Sequence, residues 1–279
     1  MPDHVLLAVH AHPDDESMGT GGTLARYAAA GVETVLVCAT RGEEGEIQNP
    51  DVAPSEVQGD MARIRVKELE EACTILEIRR VFFLGYRDSG MAGWPSNAHP
   101  QALMNANPQE ATQKLVRIVR EVRPHVVITY NEHGLYGHPD HIAVNQITLS
   151  ALEACGDPAK FPQIPWPPWS PRKLYYTAIP RSRLLRFKTL LEERGVELGF
   201  DVESRSTPDE EITTQIDVSP FLDQKLRAIY SHRSQIGPKG FFGRLTEPFR
   251  SEALGTECFV CVRGCDPAGS VEDDLLAGI

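Results

Sequence analysis

The chain has 279 residues, 41% hydrophobic and 24% charged, with a formal net charge of -11. That length supports one large α/β domain with its own core. An acidic chain with no Lys/Arg-rich stripe has little attraction for a phosphate backbone, which excludes nucleic acid as an expected partner. The opening Met1-Pro2-Asp3-His4-Val5 lacks the basic and long apolar regions of a signal peptide, and no apolar run is long enough to span a bilayer, so the sequence predicts a cytoplasmic protein with no membrane partner.

Val5 to His10 is a continuous apolar run that predicts a buried strand. Met18 to Ala30 predicts an amphipathic helix ended by Gly31, and Val32 to Thr40 a second buried strand. The alternation continues with a helix over about Val57 to Leu76, a strand Val81 to Leu84, a helix around Pro108 to Val122 and a strand Val126 to Tyr130. Strands alternating with helices imply a mostly parallel sheet covered on both faces, a Rossmann-like three-layer α/β/α sandwich. Ligands in such sheets bind beyond the carboxyl ends of the strands. The polar segments there are His12 to Glu16, Arg41 to Glu46, Arg87 to Gly93 and Asn131 to His141.

After Ala154 the composition changes. Phe161 to Pro171 is crowded with Pro and Trp, which suits a rigid connector at the rim of a pocket or leading to the tail. Beyond it come a strand Lys173 to Ala178, a helix Arg181 to Arg194, a polar loop Glu203 to Glu210, a strand Glu211 to Val218 and a helix Pro220 to His232. Residues 1–160 are therefore read as the catalytic core. Residues 161–279 form a smaller α+β elaboration that completes the substrate pocket and depends on the core. Of the six cysteines, Cys258, Cys261 and Cys265 crowd together like half of a zinc ribbon without its second half, and all six are expected to be reduced thiols.

The chemistry concentrates in two short clusters placed directly after apolar runs: His12-Pro13-Asp14-Asp15-Glu16 and His138-Pro139-Asp140-His141. Two imidazoles and a carboxylate are a set that zinc or ferrous iron accepts, and a spare carboxylate beside them suits a base for water. In His12-x-x-Asp15 on a strand-to-helix turn, both side chains can face one point while Asp14 stays free, and His141 closes the set. Pro139 suits the first position of a following helix, placing His138 and His141 at its N-terminus. Taken singly, a His beside Pro and Asp at a helix start is more often a cap or turn; the pairing of two such clusters favours metal.

The combination AHPDDES, RGEEGEI, Arg65-Val-Lys-Glu-Leu69, Arg87-Asp-Ser-Gly-Met-Ala-Gly93, Arg123-Pro-His-Val-Val-Ile-Thr-Tyr130 and Tyr136-Gly-His-Pro-Asp-His141 resembles the PIG-L/LmbE superfamily of zinc-dependent N-acetylglucosaminyl deacetylases over about residues 5 to 155. It is most similar to the mycothiol branch, which contains a deacetylase of the glucosaminyl-inositol precursor and an amidase of mycothiol S-conjugates. The resemblance implies His12, Asp15 and His141 as zinc ligands, with iron as an alternative ion, and Asp14 as general base. It implies Tyr136 as oxyanion contact and His138, partnered by Asp140, as stabiliser of the tetrahedral intermediate or acid for the amine. It also implies Arg65, Asp88 and His232 as contacts to the substrate, a small N-acyl amino sugar. A homo-oligomer is compatible with it. Glu16-Ser-Met-Gly19 lacks the lysine associated with the conjugate amidase, which favours deacetylation of a glucosaminyl-inositol or glucosaminyl-malate.

Duller readings exist for several of these residues. Glu43, Glu44 and Glu46 read as a solvated acidic loop, Asp88 equally as a turn cap, and Arg65 as a salt-bridged helix position. Two rival functions come from other classes. Gly19-x-Gly21 after the first strand hints at dinucleotide binding, but Leu24 fills the third glycine position. His12, Asp14 and His141 also form the ligand triad of a ferrous 2-oxoacid oxygenase, whose usual scaffold is all-β.

Overall fold

The structure, a computed structural model, describes residues 4–53, 60–192, 201–237, 247, 249–265, 269 and 271–279. Five strands run parallel: β1 (Val5–His10), β2 (Glu33–Cys38), β3 (Arg80–Phe83), β4 (Val126–Thr129) and β5 (Lys173–Ala178). β6 (Thr214–Asp217) and β7 (Thr256–Arg263) complete one sheet in the order β3-β2-β1-β4-β5-β7-β6, with β7 antiparallel to both neighbours. The order reverses direction between β1 and β4, so the crevice at their carboxyl ends is the topological switch point.

Burial on both faces explains the unbroken apolar runs. Leu7, Val9, Val35 and Val37 join one core cluster with Leu115 and Val119 of an amphipathic helix, Pro108–Val122, and Val144 and Ala151 of another, Pro139–Ala154. Leu6, Ala8, Leu36 and Cys38 face the other cluster, with Leu24, Tyr27, Leu69 and Cys73. Helix starts follow local capping chemistry. Asn107 accepts from the N–H groups of Gln109 and Glu110 ahead of Pro108, and Asp60 accepts from Arg63 N–H at the start of Met61–Ile75. The helix expected from about Val57 is seen from Met61 onward; Val57 itself falls among residues 54–59, which lie outside the described residues.

With these ranges the helices are numbered α1 (Asp15–Gly19), α2 (Gly21–Ala29), α3 (Met61–Ile75), α4 (Pro108–Val122), α5 (Gly134–Gly137), α6 (Pro139–Ala154), α7 (Arg181–Glu192), α8 (Leu222–Ser231) and α9 (Phe249–Leu254). The single helix expected over Met18 to Ala30 is instead α1 and α2, broken at Thr20, whose hydroxyl bonds His10 Nε2 at 2.9 Å. Gly22 lets α2 sit against Val218, which a Cβ there would meet at 2.5 Å.

The C-terminal third extends the same sheet instead of forming a separate layer. α8 packs on α2 and α3, and its Lys225 pairs with Glu257 of β7 at 2.6 Å. Glu257 in turn accepts the N–H groups of Gly22 and Thr23 at 2.9 and 2.8 Å. A dinucleotide would bring its pyrophosphate to this helix N-terminus; here the anion is the chain's own carboxylate, which removes the dehydrogenase reading. The Pro/Trp segment is not at the site's rim, because Trp169 Nε1 donates to Pro124 O at the amino end of β4, opposite the switch point. The expectation of reduced cysteines also fails at one place. Gly264, at φ 73°, turns the chain beyond β7, bringing Cys265 back to form a disulfide with Cys261. Cys38, Cys73, Cys155 and Cys258 are free and buried.

Candidate active site

The four polar segments meet at the carboxyl ends of β1 and β4. His12 follows β1, and its ring divides the site: Nδ1 lies 3.5 Å from Asp15 Oδ2, while Nε2 lies 3.1 Å from Asp140 Oδ2 and 3.5 Å from Asp88 Oδ1. Asp15 begins α1. Its Oδ2 accepts from His12 N–H at 2.8 Å and from the Tyr130 hydroxyl at 2.7 Å, which leaves Oδ1 facing His141 Nε2 at 3.5 Å. Pro139 opens α6 as expected, and His138 is its cap, with Nδ1 accepting Asp140 N–H at 3.1 Å.

Electrostatics at this point favour a cation. Burial opposes charge on His12, yet the Asp88, Asp140 and Asp15 carboxylates outweigh it and hold the imidazole well above its usual range. Burial also works against charge on Asp15, but His141 and His12 keep it well below the usual carboxylate range. His141 is 1% exposed, its Nε2 has no hydrogen-bond partner among the described residues, and burial pushes its pKa down to about 4. A neutral, unpartnered imidazole aimed at a carboxylate oxygen with no other donor is the kind of pair a divalent ion accepts, and His141 with Asp15 offers one. The groupings whose donor atoms all lie within 4.8 Å of one another are His12 with His138 and His141, and His12 with Asp88 and Asp140; Asp15 faces the two imidazoles through different oxygens, Oδ2 toward His12 and Oδ1 toward His141.

Asp14 stands beside this set in a strained main-chain conformation, φ 122°. Its Oδ2 meets Arg65 Nη2 at 2.9 Å, and burial raises its pKa to about 6 in spite of that guanidinium. Arg65 does not reach outward as a sugar contact. It is 4% exposed and donates also to Pro13 O and Gly42 O, with Gly42 and Gly45 packed so close that a Cβ at either would collide with it. Arg65 thus positions the Asp14 carboxylate. Asp88 is likewise turned inward. It accepts Gly90 N–H at 2.8 Å, so its turn-capping role is present, and Glu44 N–H at 3.3 Å, besides facing His12. The acidic loop is not simply solvated, since Glu43 accepts Asp88 N–H and Glu44 pairs with Arg87.

Asp140 departs from its expected partnership. Its carboxylate serves His12 and the N–H and hydroxyl of Ser89, and it reaches His138 through its main-chain N–H. Burial and the neighbouring His12 and His141 push His138 down to about 4. Tyr136 lies on α5, where Leu135 at φ 64° turns the chain, and its ring stands edge-on to His141 at 5.0 Å with the Arg205 guanidinium 5.1 Å from its centroid. Burial and Asp15 raise its phenol, so it stays an O–H donor. His232 is fully buried behind the first motif, 2.7 Å from Glu16 Oε1, and is not a substrate contact in this conformation. Tyr130 escaped the sequence reading. It holds Asp15, accepts Ala11 N–H at 2.8 Å and stacks on His141 with centroids 4.0 Å apart. Its signals were a tyrosine ending an apolar run and its place at the end of the Arg123–Tyr130 motif, neither of which assigned it a role.

The sequence profile of the PIG-L family, described as GlcNAc-PI de-N-acetylase, matches residues 7–152. The chain belongs to this family. A 1D-myo-inositol 2-acetamido-2-deoxy-alpha-D-glucopyranoside deacetylase of Thermomonospora curvata is 40% identical over 297 aligned residues, covering 99% of this chain and 97% of the relative. One of the same description from Acidothermus cellulolyticus is 42% identical over 288, covering 98% and 94%. Among solved structures, an N,N'-diacetylchitobiose deacetylase from Pyrococcus horikoshii shares the fold with a TM-score of 0.65 at 22% identity, over 93% of this chain and 84% of that one. This PIG-L family member is an enzyme, an amidohydrolase, and among its described residues no helix is long and apolar enough to cross a membrane.

Proposed function

We propose that the chain removes the N-acetyl group of a glucosaminyl-inositol, using a zinc ion held by His12, Asp15 and His141. The observation that carries the substrate is the 40% identity, over 99% of the chain, to a relative named for that deacetylation. Ferrous iron is the alternative ion for the same donors. When bound, a divalent ion supplies Lewis acidity toward a carbonyl oxygen and a water.

The chain's own residues do the rest. Asp14, fixed by Arg65, takes the proton of the attacking water. The Tyr136 hydroxyl donates to the oxyanion. His138 has its Nδ1 committed as the acceptor of Asp140 N–H, so its neutral ring offers one donor, Nε2–H, for the same oxyanion. A neutral ring with that tautomer is a poor proton source, and the proton gained by Asp14 is the one handed to the departing amine.

The test is amine release from N-acetylglucosamine, glucosaminyl-inositol and glucosaminyl-malate in their N-acetylated forms, and from a mycothiol S-conjugate, with chelated protein before and after zinc is restored. Zinc-dependent release, fastest with the glucosaminyl-inositol, is expected. Preference for the S-conjugate would move the assignment to the amidase, and no release from the whole panel would overturn it.

A further inference from the structure

Asp14 is the one residue of the first motif held at a positive φ that side chains rarely adopt, 122°, and a conformation of that kind persists only when its surroundings over-determine it. Its carbonyl accepts the N–H groups of Ser17 and Met18 at 3.1 and 3.0 Å. Its own N–H donates to Glu16 Oε2 at 3.0 Å. Glu16 is fully buried, and its other oxygen receives the Ser17 hydroxyl and His232 Nε2 at 2.5 and 2.7 Å. His232 caps the carboxyl end of α8, on a segment fastened to α3: Ser234 N–H and hydroxyl both bond Glu68, each at 2.7 Å. α3 also carries Arg65, the partner of the Asp14 carboxylate. The packed pair α3 and α8 therefore grips Asp14 twice, by its side chain through Arg65 and by its main chain through Glu16.

We propose that His232 and Glu16 are positioning residues that hold the Asp14 main chain in its strained conformation, so that the C-terminal helix α8 pre-sets the base of a site built otherwise from the first 141 residues. This deepens the proposed function and rests on Asp14 being the base. It gives His232, outside the family match, a role through Glu16 and none at the substrate. Burial opposes charge on His232, and the Glu16 carboxylate outweighs it, holding the imidazole above its usual range. Displacement of a base on the scale of an ångström costs on the order of 10²-fold in turnover.

The experiment compares His232→Gln, whose amide nitrogen reaches the position of Nε2, with His232→Asn, which reaches only the Nδ1 position. Both are polar and fit the buried space. On zinc-loaded protein without substrate, hydrogen exchange of the Asp14 amide is measured alongside zinc affinity; kcat and KM are measured separately. His232→Asn should expose the Asp14 amide and lower kcat about 10- to 100-fold, with KM and zinc affinity changed less than about twofold, and His232→Gln should restore protection and most of the turnover. Equal loss in both variants, or an Asp14 amide unchanged in His232→Asn, overturns the brace. Lost amide protection in His232→Asn with no loss of turnover would leave the brace standing and remove Asp14 as the base, so the two readings fail separately.

Discussion

Asp140→Asn isolates what orients His12. In the parent, Asp140 is fully buried, and its Oδ2 faces His12 Nε2 at 3.1 Å while Ser89 supplies N–H at 2.9 Å and a hydroxyl to the two oxygens. A carboxylate accepts only, so in the ion-bound form, where the ring would be neutral, it would fix the proton on Nε2 and leave the Nδ1 lone pair on the side of Asp15. The amide keeps the shape and loses the charge. If its nitrogen turns to His12, the ring proton moves to Nδ1, where it blocks coordination. Loss of such an outer partner costs 10- to 100-fold in metal affinity, or ~1.4–2.7 kcal/mol. Chelator competition with zinc gives the affinity directly, and Ser89→Ala, which retains the main-chain donor, should show a smaller effect. Unchanged zinc affinity in Asp140→Asn, with an altered pH profile of turnover, would refute the reasoning and return Asp140 to His138.

Asp14→Asn should bind zinc almost normally while losing about 10²- to 10⁴-fold in kcat, checked by the same competition and steady-state rates. Gly42→Ala places a Cβ on the Arg65 guanidinium at a φ of 67°, so stability should fall by about 1–3 kcal/mol in urea unfolding, with kcat falling as Arg65 leaves Asp14. Glu272 is lowered despite burial by Lys173 and Tyr175, which bond its carboxylate at 2.8 and 2.6 Å. A depressed carboxylate stabilises above its unfolded pKa of about 4.3 and loses that contribution as pH falls through its folded value. Glu272→Gln should thus cost roughly 1.5–3 kcal/mol near pH 7, and the gap to the parent should narrow on acidification below about pH 4; a gap independent of pH would count against the pairing.

The parallel core was legible because strands buried on both faces leave continuous apolar runs, as at Val5–His10 and Val126–Thr129. The meeting of His12, Asp15 and His141 was legible because two short motifs follow two strands adjacent at the switch point. β7 was not: Thr256–Arg263 holds a short apolar run, Cys258 to Val262, whose two cysteines with Cys265 read as half of a metal ribbon and not as part of a strand. The break at Thr20 was hidden because α1 and α2 share one apolar periodicity, and the Thr20 hydroxyl that marks it bonds His10, ten residues away, and Glu16 O. Tyr130, Ser89 and the Glu16–His232 pair act through contacts distant in sequence, between types that carry no spacing signal. Arg65, Asp88 and His232, expected as substrate contacts, are each buried and turned to other protein groups, Asp14, His12 and Glu16 respectively, through pairings distant in sequence.

The central claim is that His12, Asp15 and His141 hold the ion and leave Asp14 beside it. Anomalous diffraction at the zinc edge from zinc-loaded crystals tests it most directly, because three donor groupings compete for one ion. The account predicts a single peak within coordination distance of His12 Nδ1, one Asp15 oxygen and His141 Nε2. A peak held by His12 with His138 and His141, or by His12 with Asp88 and Asp140, would contradict it.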